Sequence, residues 1–172
     1  MSVKQILTEP NKLLRQISKP VEKVGDEERT LMDDMLDTMY EAPGIGLAAI
    51  QIGVPKRIIV MDISRDENKK EPMYFVNPII KNKNEEKSKY EEGCLSVPDQ
   101  FAEIERPNAC EVEYLDYYGK KQLLKADGLL ATCIQHEMDH LEGILFIDYL
   151  SKLKKSMIIK KLSKIKSTRI IV

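Results

Sequence analysis

Both histidines of this 172-residue chain fall within five positions of each other, in His136-Glu137-Met138-Asp139-His140. Residues i and i+4 of an α-helix share a face, about 6 Å apart along the axis. Two imidazoles spaced in this way can grip one metal ion. Glu137, at the adjacent angle, can reach a water at that ion without being a ligand. The bland alternative is a pair of solvated histidines. Cys133, Ile134 and Leu141 around them argue for burial instead. The chain is therefore expected to build a helix here, opening at Asp127-Gly128 with Asp127 as its N-cap and ending near Glu142 at Gly143.

A catalytic metal site takes three protein ligands and keeps a position open for water. No further histidine exists, and the carboxylates downstream are Glu142 and Asp148, so the three cysteines are the candidates. Cys133 precedes His140 by seven residues, roughly 10 Å along a helix. That is too far for both to hold one ion through bonds of about 2.0–2.3 Å. Cys110 shares the apolar face of a predicted strand with Val112 and Tyr114 and is most simply a core residue. Cys94 lies in Glu92-Gly93-Cys94-Leu95-Ser96-Val97-Pro98, read as an irregular segment that can bend to present a side chain. It is the preferred third ligand. An odd three cysteines also make a poor disulfide framework and fit a reducing compartment.

Hydrophobic residues make up 42% of the chain, enough for a core, which excludes a wholly disordered chain. Leu31, Met32, Met35, Leu36 and Met39 form one stripe, predicting a helix over Asp26–Glu41 capped by Asp26 and stopped at Pro43-Gly44. Strands are predicted at Arg57–Ile63, at Met73–Ile80 (edge or irregular, because of Pro78), at Phe101–Glu105 and Ala109–Tyr117, and up to about Leu124. Short strands and two or three helices without regular alternation predict an α+β fold. In it, short mixed or antiparallel strands surround a central metal-binding helix, and a further helix ends the chain.

Gly44-Ile45-Gly46-Leu47-Ala48-Ala49-Ile50-Gln51, Glu92-Gly93-Cys94-Leu95-Ser96 and Gln135-His136-Glu137-Met138-Asp139-His140 resemble, in order, the three motifs of the peptide deformylase family. The resemblance runs from the N-terminus to about Tyr149. It implies a cytoplasmic hydrolase that removes the formyl group from N-formylmethionine at the start of new bacterial polypeptides. It implies Cys94, His136 and His140 as metal ligands, in agreement with the elimination above. Fe(II) would be the physiological ion, with zinc, nickel or cobalt as substitutes. Glu137 would be the general base, and the Gln51 amide and the Leu95 N–H would bind the oxyanion. Gly44, Ile45, Gly46 and Gly93 would meet the substrate main chain, while Leu129, Thr132, Cys133 and Ile45 would line a slot for the methionine side chain. Phe101 and Ala42-Pro43 depart from the family's common pattern, where arginine and acidic residues stand.

The net charge of −1 conceals a split. Residues 151–172 hold eight of the 27 bases and none of the 28 acids, leaving the other 150 residues at a net −9. A catalytic domain of residues 1–150 and a basic helical tail of residues 151–172 are expected. Leu153, Met157, Ile158, Leu162 and Ile165 form the tail's apolar stripe. A docked helix with a solvated basic face, an RNA contact and a membrane-surface helix are its three readings. The family's nascent substrate favours the ribosome, near its exit tunnel, over the membrane. No run approaches the ~18 apolar residues of a membrane span, and the N-terminus lacks a signal core. A zinc peptidase built on the same helix and a ribosome- or RNA-binding module are the competing functions. Cys94 as ligand, with Gln51 and no third histidine, tells against the first.

Overall fold

The methionine stripe forms helix α1 (Asp26–Glu41), which buries Met32, Met35 and Met39 completely. Its N-cap is Gly25, not Asp26: the Glu28 carboxylate reaches back to the Gly25 N–H at 3.0 Å. Asp26 instead sits in the first turn, where an acid complements the helix dipole. The structure, a computed structural model, describes residues 2–64 and 66–171, the side chains of 165–171 excepted. The expected roles of Ile165, Lys166 and Arg169 in the tail therefore lie outside the described residues.

Seven strands follow: β1 (Gly46–Ala48), β2 (Ile58–Met61), β3 (Met73–Lys83), β4 (Lys87–Cys94), β5 (Val97–Pro107), β6 (Ala109–Leu115) and β7 (Lys121–Asp127). They make a five-stranded sheet ordered β1-β2-β3-β6-β7 and a separate β4-β5 ribbon, and the pairings between these strands are antiparallel. Helix α2 (Gly128–Leu141) packs on one face of the large sheet and α1 on the other. Ile59 and Met61 of β2 join the α2 cluster, while Ile58 and Val60 join the α1 cluster. A strand covered on both faces is apolar at every position, which explains the unbroken Ile-Ile-Val-Met run.

Of the two readings of Met73–Ile80, edge or irregular, the second holds: β3 lies between β2 and β6, and its pairing with β6 shifts register twice. Pro78 is tolerated there because the register breaks between Val76 and Ile79, with Asn77 in the left-handed region at φ 51°. The Asn77 amide is held by both the N–H and the carbonyl of Val21, at 2.8 Å each. The segment around Cys94 is irregular, as expected: the β4-β5 register shifts between Gly93 and Cys94, and Asp99 stands in the left-handed region at φ 61°. It is the end of β4 and a two-residue turn, Leu95-Ser96, into β5. The strand Lys87-Ser88-Lys89-Tyr90-Glu91-Glu92 carries too few apolar residues to announce itself, since one face of the ribbon is in water.

Asp127 is the N-cap residue of α2 by position, without a side-chain cap bond. A third cluster joins Val97 and Ile104 of β5 to Leu145, Phe146, Ile147 and Leu162. Leu162 belongs to α3 (Lys152–Ile171), so the tail helix packs on the body. The predicted tail stripe divides. Ile158 and Leu162 face the body, whereas Leu153 and Met157 are 72% and 51% exposed. Among the described residues, no helix is long and apolar enough to cross a membrane.

Candidate metal centre

Helix α2 delivers His136 and His140 from one face, their rings 5.2 Å apart between centroids. The β4-β5 turn delivers Cys94 from the other side. The candidate donor atoms of Cys94, His136 and His140 lie within 4.8 Å of one another, and Cys94 Sγ is 3.4 Å from His140 Nε2. One thiolate and two imidazoles suit a divalent transition ion. Cys110 and Cys133 stay out of this cluster: both are buried, and burial pushes both thiols up from their ordinary range.

His136 is oriented from behind. Its Nδ1 is 2.8 Å from Glu92 Oε1, so the ring donates there and turns Nε2 inward. Arg106 grips the same carboxylate with two bonds, Nε to Oε2 at 2.8 Å and Nη2 to Oε1 at 3.0 Å. Its Nη1 reaches Asp139 Oδ2 at 2.8 Å, which also accepts from the Tyr149 hydroxyl at 2.7 Å. Burial favours a neutral Glu92, but the bonds from His136 and Arg106 outweigh it and hold its pKa below the usual carboxylate value. Burial likewise opposes charge on His136, yet Cys94 and Glu92 together raise its pKa well above the ordinary range. His140 goes the other way, lowered by burial and then by positive His136 and Arg106.

Glu137 is buried, and its pKa is pushed up to about 7, first by desolvation and further by Glu92 and Asp139 against the pull of His136 and Arg106. Its Oε2 is buried without a hydrogen-bond partner. That orphan oxygen fits a metal-associated water as its partner. Gly46 makes the placement possible, because a Cβ on that residue would stand 2.7 Å from Glu137 Oε1 and 2.9 Å from Cγ. The strand backbone and the carboxylate share space that no side chain leaves free.

Gln51, in a 3₁₀ turn after β1 (Ala49–Ile52), is 1% exposed. The Ala48 N–H donates to its Oε1 at 2.9 Å, which fixes the amide and turns its NH₂ toward the centre. There it donates to Ser96 Oγ at 3.0 Å and approaches Cys94 Sγ at 3.6 Å.

A cavity of about 670 Å³ opens over this floor. Gly44, Ile45, Gly46, Gln51, Gly93, Cys94, Leu95, Leu129, Thr132, Cys133, His136 and Glu137 line it, whereas His140 lies below the lining. Phe101, 65% exposed, stands at its rim with Ala42 and Pro43. Glu92, Arg106 and Ser96 carry parts that residue reasoning passed over. Glu92 was within reach, because positions two apart on a strand share a face and it precedes Cys94 by two. Arg106 joins through strand pairing alone, on the far limb of the hairpin.

Residues 3–156 match the family described as Polypeptide deformylase. The peptide deformylase of Pelagibacter ubique (strain HTCC1062) is 92% identical over 172 residues, 100% of each chain. That of Rhizobium meliloti (strain 1021) is 56% identical over 98% of this chain and 97% of its own. Among solved structures, peptide deformylase from Ehrlichia chaffeensis superposes with a TM-score of 0.91 at 45% identity, covering 96% of this chain and 97% of that one. A second structure of it, in complex with actinonin, gives 0.90 at 48% identity over 95% and 98%. With the motifs, the fold and full-length likeness in agreement, the chain belongs to the polypeptide deformylase family.

Proposed function

We propose that Cys94, His136 and His140 hold one divalent ion in this hydrolase and that Glu137, Gln51 and Leu95 work at it. The reaction is the family's, removal of the N-formyl group from nascent polypeptides with release of formate. When bound, the ion supplies Lewis acidity that brings a water's pKa toward ~7. Fe(II) is the proposed native ion, and zinc, nickel or cobalt are substitutes that the same donors accept.

Glu137 takes the proton of the attacking water and hands it to the amine that leaves as the formamide C–N bond breaks. Its raised pKa of about 7 suits both transfers. The Gln51 NH₂ and the Leu95 N–H donate to the oxyanion that forms on the formyl oxygen. The amide orientation imposed by Ala48 supports this role for Gln51. Leu129, Thr132, Cys133 and Ile45 give the methionine side chain an apolar slot. Gly44 and Gly46 leave the outer edge of β1 open to an extended peptide, since β1 ends its sheet, and Gly93 approaches from the ribbon.

The observation that carries the reading is one thiol and two imidazoles within 4.8 Å, beside a buried carboxylate oxygen lacking a partner. Anaerobic purification, metal analysis and a formate-release assay on formyl-methionyl peptides test it. Formate release in step with metal content is expected; metal-loaded protein that releases none overturns the reading.

The functional division runs at residue 150, with residues 1–150 catalytic. The tail meets the ribosome in the cytoplasm: Lys152, Lys154, Lys160 and Lys161 are exposed on the described part of α3, and clustered bases neutralise RNA phosphates.

A further inference from the structure

Residues 7–19 belong to none of the three motifs, yet their backbone is bonded to two of them and to the residue that follows the third. The Leu7 N–H donates to the Gln51 carbonyl at 2.7 Å, and the Glu9 N–H to the Ser96 carbonyl at 2.8 Å. The Ser18 N–H donates to the Leu141 carbonyl, the last residue of α2, at 2.8 Å. Arg15 fastens the middle of the run. It donates to the Gly143 carbonyl at 3.3 Å and to Asp148 at 2.6 Å, and its other nitrogen reaches Glu9 at 3.3 Å. Gly143, at φ 72°, is where the two segments touch, and a Cβ there would collide with the Arg15 carbonyl. Leu14 is wholly buried beneath the run, and Ile6, just before it, reaches the cavity wall.

The three segments so joined are of different kinds, and their other links are bonds between side chains: Gln51 to Ser96 Oγ at 3.0 Å, Glu92 to His136 at 2.8 Å and Arg106 to Asp139 at 2.8 Å. Gln51 sits in a turn beyond an edge strand, Ser96 at the tip of a ribbon outside the main sheet, and the histidines on a helix. A two-stranded ribbon alone is at best marginally stable. Oxyanion donors work only when preplaced, and misplacement by 1 Å can cost on the order of 10²-fold in rate. Those side-chain bonds leave the backbone of the turn and of the ribbon tip to be fixed, and the strap's backbone N–H groups bond to it directly.

We infer that residues 7–19 are a positioning strap, in which the Leu7 N–H holds Gln51 and the Glu9 N–H holds the Cys94 turn in register with α2. The inference rests on the role proposed for Gln51. The strap acts through Gln51 and the turn and touches no reacting atom.

The test uses the full-length, metal-loaded protein with Leu7 replaced by its α-hydroxy acid through suppressor tRNA. The amide becomes an ester, which removes the N–H bonded to Gln51 and keeps the side chain. The same exchange at Thr8 is the control, since Thr8 contributes its carbonyl, to the Asn11 N–H at 3.0 Å. The Leu7 ester should lower kcat on a formyl-methionyl peptide about tenfold, with KM and metal content unchanged. The Thr8 ester should stay within about twofold of the parent. In a Gln51→Ala background the Leu7 ester should cost nothing further, because its path is already cut. A general loss of stability would instead lower kcat equally in both backgrounds. An unchanged kcat in the Leu7 ester, equal losses with and without Gln51, or lost metal would each overturn the strap while leaving the hydrolase reading intact. Metal-loaded parent protein that releases no formate would overturn both.

Discussion

Glu137 is buried against β1 with one oxygen unpartnered, and beside His136 and Asp139 of its own motif it feels Glu92 and Arg106, which that motif cannot announce. If it moves the proton, Glu137→Gln should keep its metal and lose turnover by about 10²–10⁴-fold. Metal analysis beside formate release checks this, and undiminished kcat would sink the mechanism. Glu92 contributes differently. It holds the His136 ring and is itself clamped by Arg106. Outer partners of metal-bound histidines are worth about 10–100-fold in metal affinity. Glu92→Gln should therefore weaken binding of Co(II) by that factor in a chelator competition, whereas Glu91→Gln, on the exposed neighbouring position, should not.

At the scale of elements, α3 is held by more than its apolar contacts. Asp148 takes Arg15 at 2.6 Å and Lys155 at 2.7 Å, tying the first turns of α3 to the N-terminal strap. Burial pulls the Asp148 pKa upward, but the bonds from Arg15 and Lys155 prevail and leave it below the ordinary 3.8. A lowered carboxylate stabilises the fold above its unfolded value, and that stability is lost as pH falls through the folded value. Asp148→Asn should accordingly lower Tm at neutral pH, and the gap from the parent should close as pH drops below about 3.8. Thermal unfolding of both proteins across that range, with metal removed, is the measurement, and a gap that stays constant would refute the assignment. The same scale explains why β4 was missed and why β3 is irregular. Lys87–Cys94 is polar because half of it faces water, and Pro78 in β3 is harmless because it occupies a break in register.

Over the whole molecule, the acidic body and basic tail meet along a packed surface, so removing residues 151–172 would uncover Phe146 and Ile104. Charge reversal is the cleaner probe of the ribosome proposal. Lys152, Lys154, Lys160 and Lys161 changed together to Glu should abolish co-sedimentation with ribosomes at low salt. Its kcat/KM on a short formyl peptide should stay at the parent value, since none of the four lines the cavity. Unaltered co-sedimentation would show that this face is simply solvated.

The amino-acid sequence alone determined the helix spacing that pairs His136 with His140, and the exclusion of Cys133 by its distance along that helix. It also determined the burial of α1 through a methionine stripe. These are local matters, governed by the period of a helix and the chemistry of side chains a few residues apart. The three motifs carried the resemblance and, with it, the expected roles. Only the tertiary structure decided that Arg106 clamps Glu92 across a hairpin, that Gly46 makes room for Glu137, that Ala48 turns the Gln51 amide inward, and that residues 7–19 bond to Gln51, Ser96 and the end of α2. Each depends on backbone groups or side chains brought together by strand pairing and packing. Backbone donors and acceptors are alike at every residue, so their partners become legible only once the chain has closed on itself.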